Sequence, residues 1–164
     1  MVDDICNRLR LLLLVSVVIA SLMVCSYSFA DSKLDKCLQY QEQIVSILEQ
    51  EGVSSDYFYL AVCESRCKIK TSSKGARGFF QVTKYTYRQF KSDDCSMEDI
   101  DDIKCNTVAA ARYIKHLQKR FSKMYMVIKA YNRGGTNLLR KGSTPEADGL
   151  SRCVMNYVNA KVTD

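Results

Sequence analysis

The stretch from Cys63 to Gln81 reads C-E-S-R-C-K-I-K-T-S-S-K-G-A-R-G-F-F-Q and carries a single carboxylate, Glu64, near its start. No acidic residue follows until Asp93, and the gap holds Arg66, Lys68, Lys70, Lys74, Arg77, Lys84, Arg88 and Lys91. One acid ahead of a Ser-rich, Gly-punctuated basic loop suits an enzyme that protonates a leaving group while a polar polymer is held nearby. The plain alternative is a helix C-terminus followed by a solvated basic loop.

The elements around this acid must position it. Leu34, Cys37, Leu38, Ile44, Val45 and Leu48 form a helical stripe over residues 33–51, with Ser32 as cap and Gly52 as stop. Ser54 and Ser55 then start a second helix through Tyr57, Leu60, Ala61 and Glu64. Glu64 thus falls near a helix C-terminus, where the helix dipole disfavours negative charge. That effect and burial both raise a carboxyl pKa, whereas the surrounding cations lower it. A general acid at neutral pH needs the first two to prevail.

Gly75 and Gly78 mark a loop with open backbone angles, and Thr83 caps a short helix carrying Tyr85, Tyr87 and Phe90. Acidic residues concentrate at Asp93, Asp94, Glu98, Asp99, Asp101 and Asp102, which reads as a solvated face or a helix N-terminus. No D-x-D-x-D-G spacing for calcium occurs there. Asn106 opens a long helix through Val108, Ala109, Ala110, Tyr113, Ile114 and Leu117, and the Ala run admits a close neighbour. Another helix runs from Met124 to Tyr131 and ends at Gly134-Gly135. Gly142, Pro145 and Gly149 are expected in a loop before a last helix with Cys153, Val154, Tyr157 and Val158. The expected class is mainly α with any sheet small, in one compact domain.

Arg8 and Arg10 precede an apolar run, Leu11 to Val24, and Ser28-Phe29-Ala30 fits a small-residue cleavage rule. The run is shorter than the about 20 residues a membrane span requires, so residues 1–30 read as a cleaved signal peptide and 31–164 as the working domain. A lipidated Cys25 is the minor alternative. Cleavage removes Arg8, Arg10, Asp3 and Asp4, so the net charge stays at +6. A basic exported domain, periplasmic or secreted, suits an anionic partner such as cell-wall polymer or a membrane surface. Export makes nucleic acid the weakest such partner, and none is expected.

Cys37, Cys63, Cys67, Cys95, Cys105 and Cys153 remain after cleavage, and an even set in an exported domain implies disulfides. A metal site fits poorly, with His116 the sole histidine and no paired C-x-x-C units. The pairing is open, although Cys95 with Cys105 would close a short acidic loop at little entropic cost.

Four pieces follow one another in order: E-S-(x)6-S-S-K-G-A-R-G-F-F-Q-V from Glu64, N-T-V-A-A-A-R-Y-I from Asn106, A-Y-N-R-G-G from Ala130 and N-Y-V-N-A-K-V from Asn156. Together they resemble the soluble-type lytic transglycosylase domain, a relative of goose-type lysozyme that cleaves peptidoglycan. The resemblance covers about residues 40–162 and implies a lysozyme-like α+β fold with a cleft. It is most similar to the small specialised forms that accompany secretion, pilus or conjugation machinery, or phage. It implies that Glu64 is the catalytic acid and base. Ser72 would hydrogen-bond near the reacting sugar and Glu64, Gln81 would line the cleft and bind sugar, Tyr131 and Asn132 would form the opposite wall, and Tyr157 would position Glu64 by a hydrogen bond. Tyr113 reads as packing. The chain departs from the pattern at Cys67, where an aromatic residue is usual, at Phe79-Phe80, at Thr83 and at Ala110, and its Glu64–Ser72 loop is one residue short.

Glycosidases usually employ two carboxylates. The absence of a second acid over residues 65–92 favours Glu64 acting twice, with an internal sugar hydroxyl as nucleophile and a 1,6-anhydromuramyl product. No metal or organic cofactor is required, and a monomer is expected. Two other readings stand beside this one. A lysozyme-type muramidase would use Asp93, Asp94 or Asp148 to orient water, and a non-catalytic wall-binding assembly protein would use only the basic surface.

Overall fold

A computed structural model describes residues 34–162 of the chain. The signal peptide expected over 1–30, its cleavage point and the Ser32 cap lie outside these residues.

The first stripe forms with one interruption. Residues 34–38 are helical, the chain turns at Gln39 and Tyr40, and α1 spans Gln41–Gln50. No breaker residue marks this turn; tertiary anchors flank it. Cys37 is disulfide-bonded to Cys67, and the Tyr40 ring meets Phe79 edge-on at 4.9 Å. Ile44 and Leu48 are fully buried, while Leu38 is exposed. Gly52, at φ 73°, ends the element as the glycine signal predicts.

Ser54 accepts a hydrogen bond from the Asp56 amide at 3.3 Å and starts a 3-10 turn, Ser55–Tyr57. That turn runs into α2, Phe58–Ser65, whose penultimate residue is Glu64. Thr83 caps α3, Lys84–Phe90, accepting from the Thr86 amide at 3.2 Å. The acidic stretch becomes a 3-10 turn, Glu98–Asp101, followed by Asp102 as the cap of α4, Ile103–Gln118. The long helix therefore starts three residues before Asn106, because the Asp102 carboxylate accepts from the Cys105 amide at 2.9 Å. Cys95 and Cys105 are bonded, closing the short acidic loop.

Helix α4 is the core of the domain. Asn106, Thr107, Ala109, Ala110, Ala111 and Ile114 are fully buried. The alanines let α1 and α3 lie close on it, and α5, Met124–Arg133, packs against its other side. A short helix absent from the sequence reading, α6, follows over Gly135–Lys141. The last helix, α7, spans Pro145–Val162, so the loop expected around Gly142, Pro145 and Gly149 is confined to its first part. Pro145 occupies the first helical turn, where its missing N–H costs nothing. Gly149 is tolerated inside α7, which packs on α5 and α2 and is tied to Cys63 through Cys153.

The class is mainly α, as expected. Among the described residues the only β pairing is two isolated bridges, Thr71 with Arg77 and Arg77 with Val82. No helix among them is long and apolar enough to cross a membrane.

Candidate active site

Glu64 stands at the end of α2, where the chain reverses sharply. Arg66 and Cys67 follow with φ of 57° and 50°, a left-handed pair without glycine. L-residues disfavour that conformation. The Cys37–Cys67 disulfide fixes the second of them, and Cys63–Cys153 fixes the helix one residue before the acid. Cross-links on both sides of Glu64 thus stand where the family resemblance places an aromatic at position 67.

The loop beyond folds back on itself through polar side chains. The Ser72 amide donates to the Ala76 carbonyl at 2.8 Å, and Ser72 Oγ accepts from the Ala76 amide at 3.0 Å. Gln81, at φ 49°, donates through Nε2 to the carbonyls of Lys70 at 3.0 Å and Gly78 at 2.9 Å. Asn106 pins the other side. Its Nδ2 donates to the carbonyls of Ile100 at 2.7 Å and Arg77 at 3.1 Å, and its Oδ1 accepts from the Phe80 amide at 3.0 Å. Arg77 is ion-paired to Asp101. The loop is therefore braced at Ser72, Arg77 and Gln81 together.

These elements enclose a cavity of about 190 Å³ lined by Glu64, Ser72, Ser73, Lys74, Ala76, Gln81, Thr83, Tyr131, Asn132 and Glu146. The structure brings five of the six predicted site residues into one space. Tyr157 is the exception. It lies on α7 one turn beyond Cys153, stacked on Tyr59 of α2 with ring centroids 5.2 Å apart. Tyr131 presents its ring rather than its hydroxyl, because the buried hydroxyl donates to the Phe80 carbonyl at 2.8 Å. Tyr113 packs against Tyr131 and Phe90, as its reading as a core residue requires.

Burial of the half-buried Glu64 side chain pushes its carboxyl up to about 7. Lys70 opposes this, Glu146 adds to it, and Lys74 opposes it again. Desolvation thus prevails over the basic loop, the condition set by the sequence for a neutral-pH acid. Tyr131 is held well above its ordinary value by its own burial and then by the charge of Glu64.

Glu146, in the first turn of α7, was not singled out by the sequence. It lies within the span read as loop, although Pro followed by an acid is a helix-start signal. Its meeting with Glu64 is a tertiary event with no local signature. It pairs with Lys74 at 2.7 Å. Of the acids considered for orienting water, none lines the cavity. Asp94 is paired with Lys104 at 2.7 Å, and Asp148 with Lys129 at 2.8 Å. Among the described residues, no group of three or more His, Cys, Asp or Glu side chains could hold a metal ion.

Fold and site together define a mainly α domain in which burial pushes the Glu64 carboxyl up to about 7 beside a cleft lined mostly by polar side chains. The family model described as Transglycosylase SLT domain matches residues 44–151, more than half of the chain. The chain belongs to that family, and its activity is accordingly of the transglycosylase type on peptidoglycan. The match includes every cavity-lining residue and stops short of Tyr157. Among curated proteins no match to the chain is found.

Proposed function

We propose that the protein is a peptidoglycan lytic transglycosylase in which Glu64 serves first as acid and then as base. The observation that carries this reading is the half-buried Glu64 in a cavity lined mostly by polar side chains, where desolvation pushes its carboxyl up to about 7. Near neutrality such a group holds its proton in a large fraction of molecules and accepts one readily once ionised.

In the first step Glu64 gives its proton to the glycosidic oxygen between N-acetylmuramic acid and N-acetylglucosamine, and the bond to the anomeric carbon breaks. The 2-acetamido group of the same sugar stabilises the positive charge at that carbon. The Glu64 carboxylate then takes the proton of the muramyl 6-hydroxyl, whose oxygen bonds to the anomeric carbon. The product carries a 1,6-anhydro ring, and no water is consumed. An attached nucleophile supplies much of the rate through proximity.

The remaining lining residues suit a sugar. Ser72 accepts from the Ala76 amide and keeps its own proton to donate. Gln81 commits its amide nitrogen to the loop, which leaves its carbonyl oxygen to accept from a sugar hydroxyl. The Tyr131 ring offers an apolar face, and Asn132 a donor and an acceptor. Tyr157 acts through α2, with its ring on Tyr59, to hold the helix that carries Glu64. We further propose export by residues 1–30, action as a monomer in the periplasm or outside the cell, and service to an envelope-spanning secretion, pilus or conjugation machine.

Mass spectrometry of purified peptidoglycan digested by the oxidised protein tests the reading. Muropeptides ending in 1,6-anhydromuramic acid are expected. Products one water heavier would instead make the protein a muramidase, with Glu146 as the water-orienting carboxylate within the cavity. Wall binding without any product would leave the assembly role.

A further inference from the structure

The cations between Glu64 and Asp93, with no acid among them, divide into two sets. Lys74 pairs with Glu146, Arg77 pairs with Asp101, and Lys91 donates to the carbonyls of Ser92 and Cys95. Arg66, Lys68, Lys70, Lys84 and Arg88 are exposed, and their side chains form no ion pair or hydrogen bond among the described residues. The acidic stretch that follows does not neutralise them. Asp94 goes to Lys104 and Asp101 to Arg77, Asp99 accepts from the Ser96 amide at 2.7 Å, and Asp102 caps α4.

The fold gathers this second set at the rim of the cavity. Isolated bridges set Thr71 and Val82 on either side of Arg77, about 10 Å apart at the usual strand spacing. Nε2 of Gln81 crosses that gap to the Lys70 carbonyl at 3.0 Å. Lys84 follows directly on Thr83, which lines the cavity with Gln81, and Arg88 lies one turn further along α3. Ile69 and Tyr85, 59% and 70% exposed, add apolar surface, one in each half of the strip. A solvated face with no further role would mix both signs of charge. This one concentrates a single sign beside the catalytic acid, where it attracts anions.

We propose that this strip binds the peptide stems of the wall through their free carboxylates, so that the enzyme prefers strands whose stems are anionic. The proposal rests on the transglycosylase reading and adds a specificity surface to it. In peptidoglycan the muramyl lactyl group is amide-linked to a short peptide and uncharged, so the negative charge resides on the stem's own carboxylates. A stem of about four residues spans up to about 14 Å, enough to carry those carboxylates from a muramyl unit in the cavity past its rim. Screening acts over about 8 Å in physiological salt, so a carboxylate between the two halves of the strip feels both. Anionic phospholipid would also answer to exposed cations beside Ile69, but the place of the strip at the cavity favours the stem.

Two walls test the strip: purified peptidoglycan with its stem carboxylates free, and the same material with them capped as methylamides. The glycan and the amide-linked lactyl groups are identical in both. The oxidised wild type is compared with Lys68→Gln/Lys84→Gln/Arg88→Gln, which spares Lys70 because that residue acts on Glu64. A control, Lys119→Gln/Lys123→Gln/Lys141→Gln, removes the same charge from exposed positions outside the strip. The initial rate of the wild type at subsaturating wall is expected to be about three- to tenfold higher on the free wall, the scale of a few exposed ion pairs. The strip variant is expected to lose that preference and the control to keep it. Preference is a ratio within one protein, so a smaller folded fraction cancels. Equal rates of the wild type on the two walls overturn the proposal, as does a preference that survives in the strip variant or vanishes in the control. Equal rates together with binding to vesicles of anionic phospholipid, lost in the strip variant, would assign the strip to a membrane surface instead. Absence of product from the wild type on both walls would sink the transglycosylase reading alone. Sedimentation with the two walls would then read the same preference and decide the strip.

Discussion

A β-carbon on Gly78 would lie 2.3 Å from Nδ2 of Asn106. The loop that carries Ser72 and Gln81 is thereby seated directly on the buried start of α4. Gly78 also has φ of 74°, so the glycine is required twice, for conformation and for contact. Gly78→Ala is expected to displace Asn106 from its three hydrogen bonds and to destabilise the fold by about 2–4 kcal/mol, combining left-handed strain with unsatisfied buried groups. Urea unfolding at neutral pH checks this. A midpoint unchanged from wild type would show that the loop does not depend on this seat.

Glu64 ties stability to pH in the opposite sense from a salt-bridged carboxylate. Its pKa rises from 4.5 to about 7 on folding, so the folded state binds more protons than the unfolded state between those values. The cost of the buried charge is absent at low pH, grows through this window and is complete above about 7, where it reaches up to about 3 kcal/mol. Glu64→Gln should therefore raise the melting temperature at pH 8 and leave it nearly unchanged at pH 4. Thermal unfolding at the two pH values reads the difference, and a stabilisation larger at pH 4 would contradict the burial account.

The cross-links at Cys63–Cys153 and Cys37–Cys67 should matter to the chemistry as well as to stability. Replacing Cys63 and Cys153 together by Ser removes a tie between positions 90 apart and is expected to cost about 2–5 kcal/mol. It also frees α2 beside Glu64, so water should reach the carboxyl. The upper limb of the pH–rate profile should then shift to lower pH. A profile that keeps its midpoint while stability falls would separate the two roles.

Tyr131→Phe removes the hydroxyl that satisfies the buried Phe80 carbonyl. The expected loss is about 1–3 kcal/mol, the cost of an unpaired buried acceptor. The apolar ring face remains, so KM should change less than stability does. Comparison of urea midpoints with KM for glycan strands checks both halves.

Much of this site was legible because its signals are local. The Tyr57, Leu60 and Ala61 stripe placed Glu64 at a helix end, Thr83 announced its helix, and Gly75 and Gly78 announced the loop. The pairing of the cysteines stayed open in the sequence, although the short loop favoured Cys95 with Cys105, and those two are bonded. What escaped depends on tertiary contact. The turn at Gln39 and Tyr40 has no breaker and is held by the Cys37–Cys67 disulfide and the contact of the Tyr40 ring with Phe79. Helix α6 is too short for a periodic pattern, and Gly149 disguised the start of α7 because packing against α5 overrides its poor propensity. Glu146 was lost with that helix, and with it the ion pair to Lys74. The double role of Gln81, as loop brace and cavity wall, needed the left-handed backbone at that residue to be seen.

The central claim is that Glu64 performs the chemistry while the rest of the cleft holds the glycan. Turnover and binding of peptidoglycan, measured side by side for wild type and Glu64→Gln, test it most directly. The account predicts that anhydromuramyl products fall by about 10²–10⁴ or more, since the acid and the base are lost together, while sedimentation with peptidoglycan is retained. Undiminished cleavage by the Gln variant would contradict it, and would move the proton transfers to another group in the cavity.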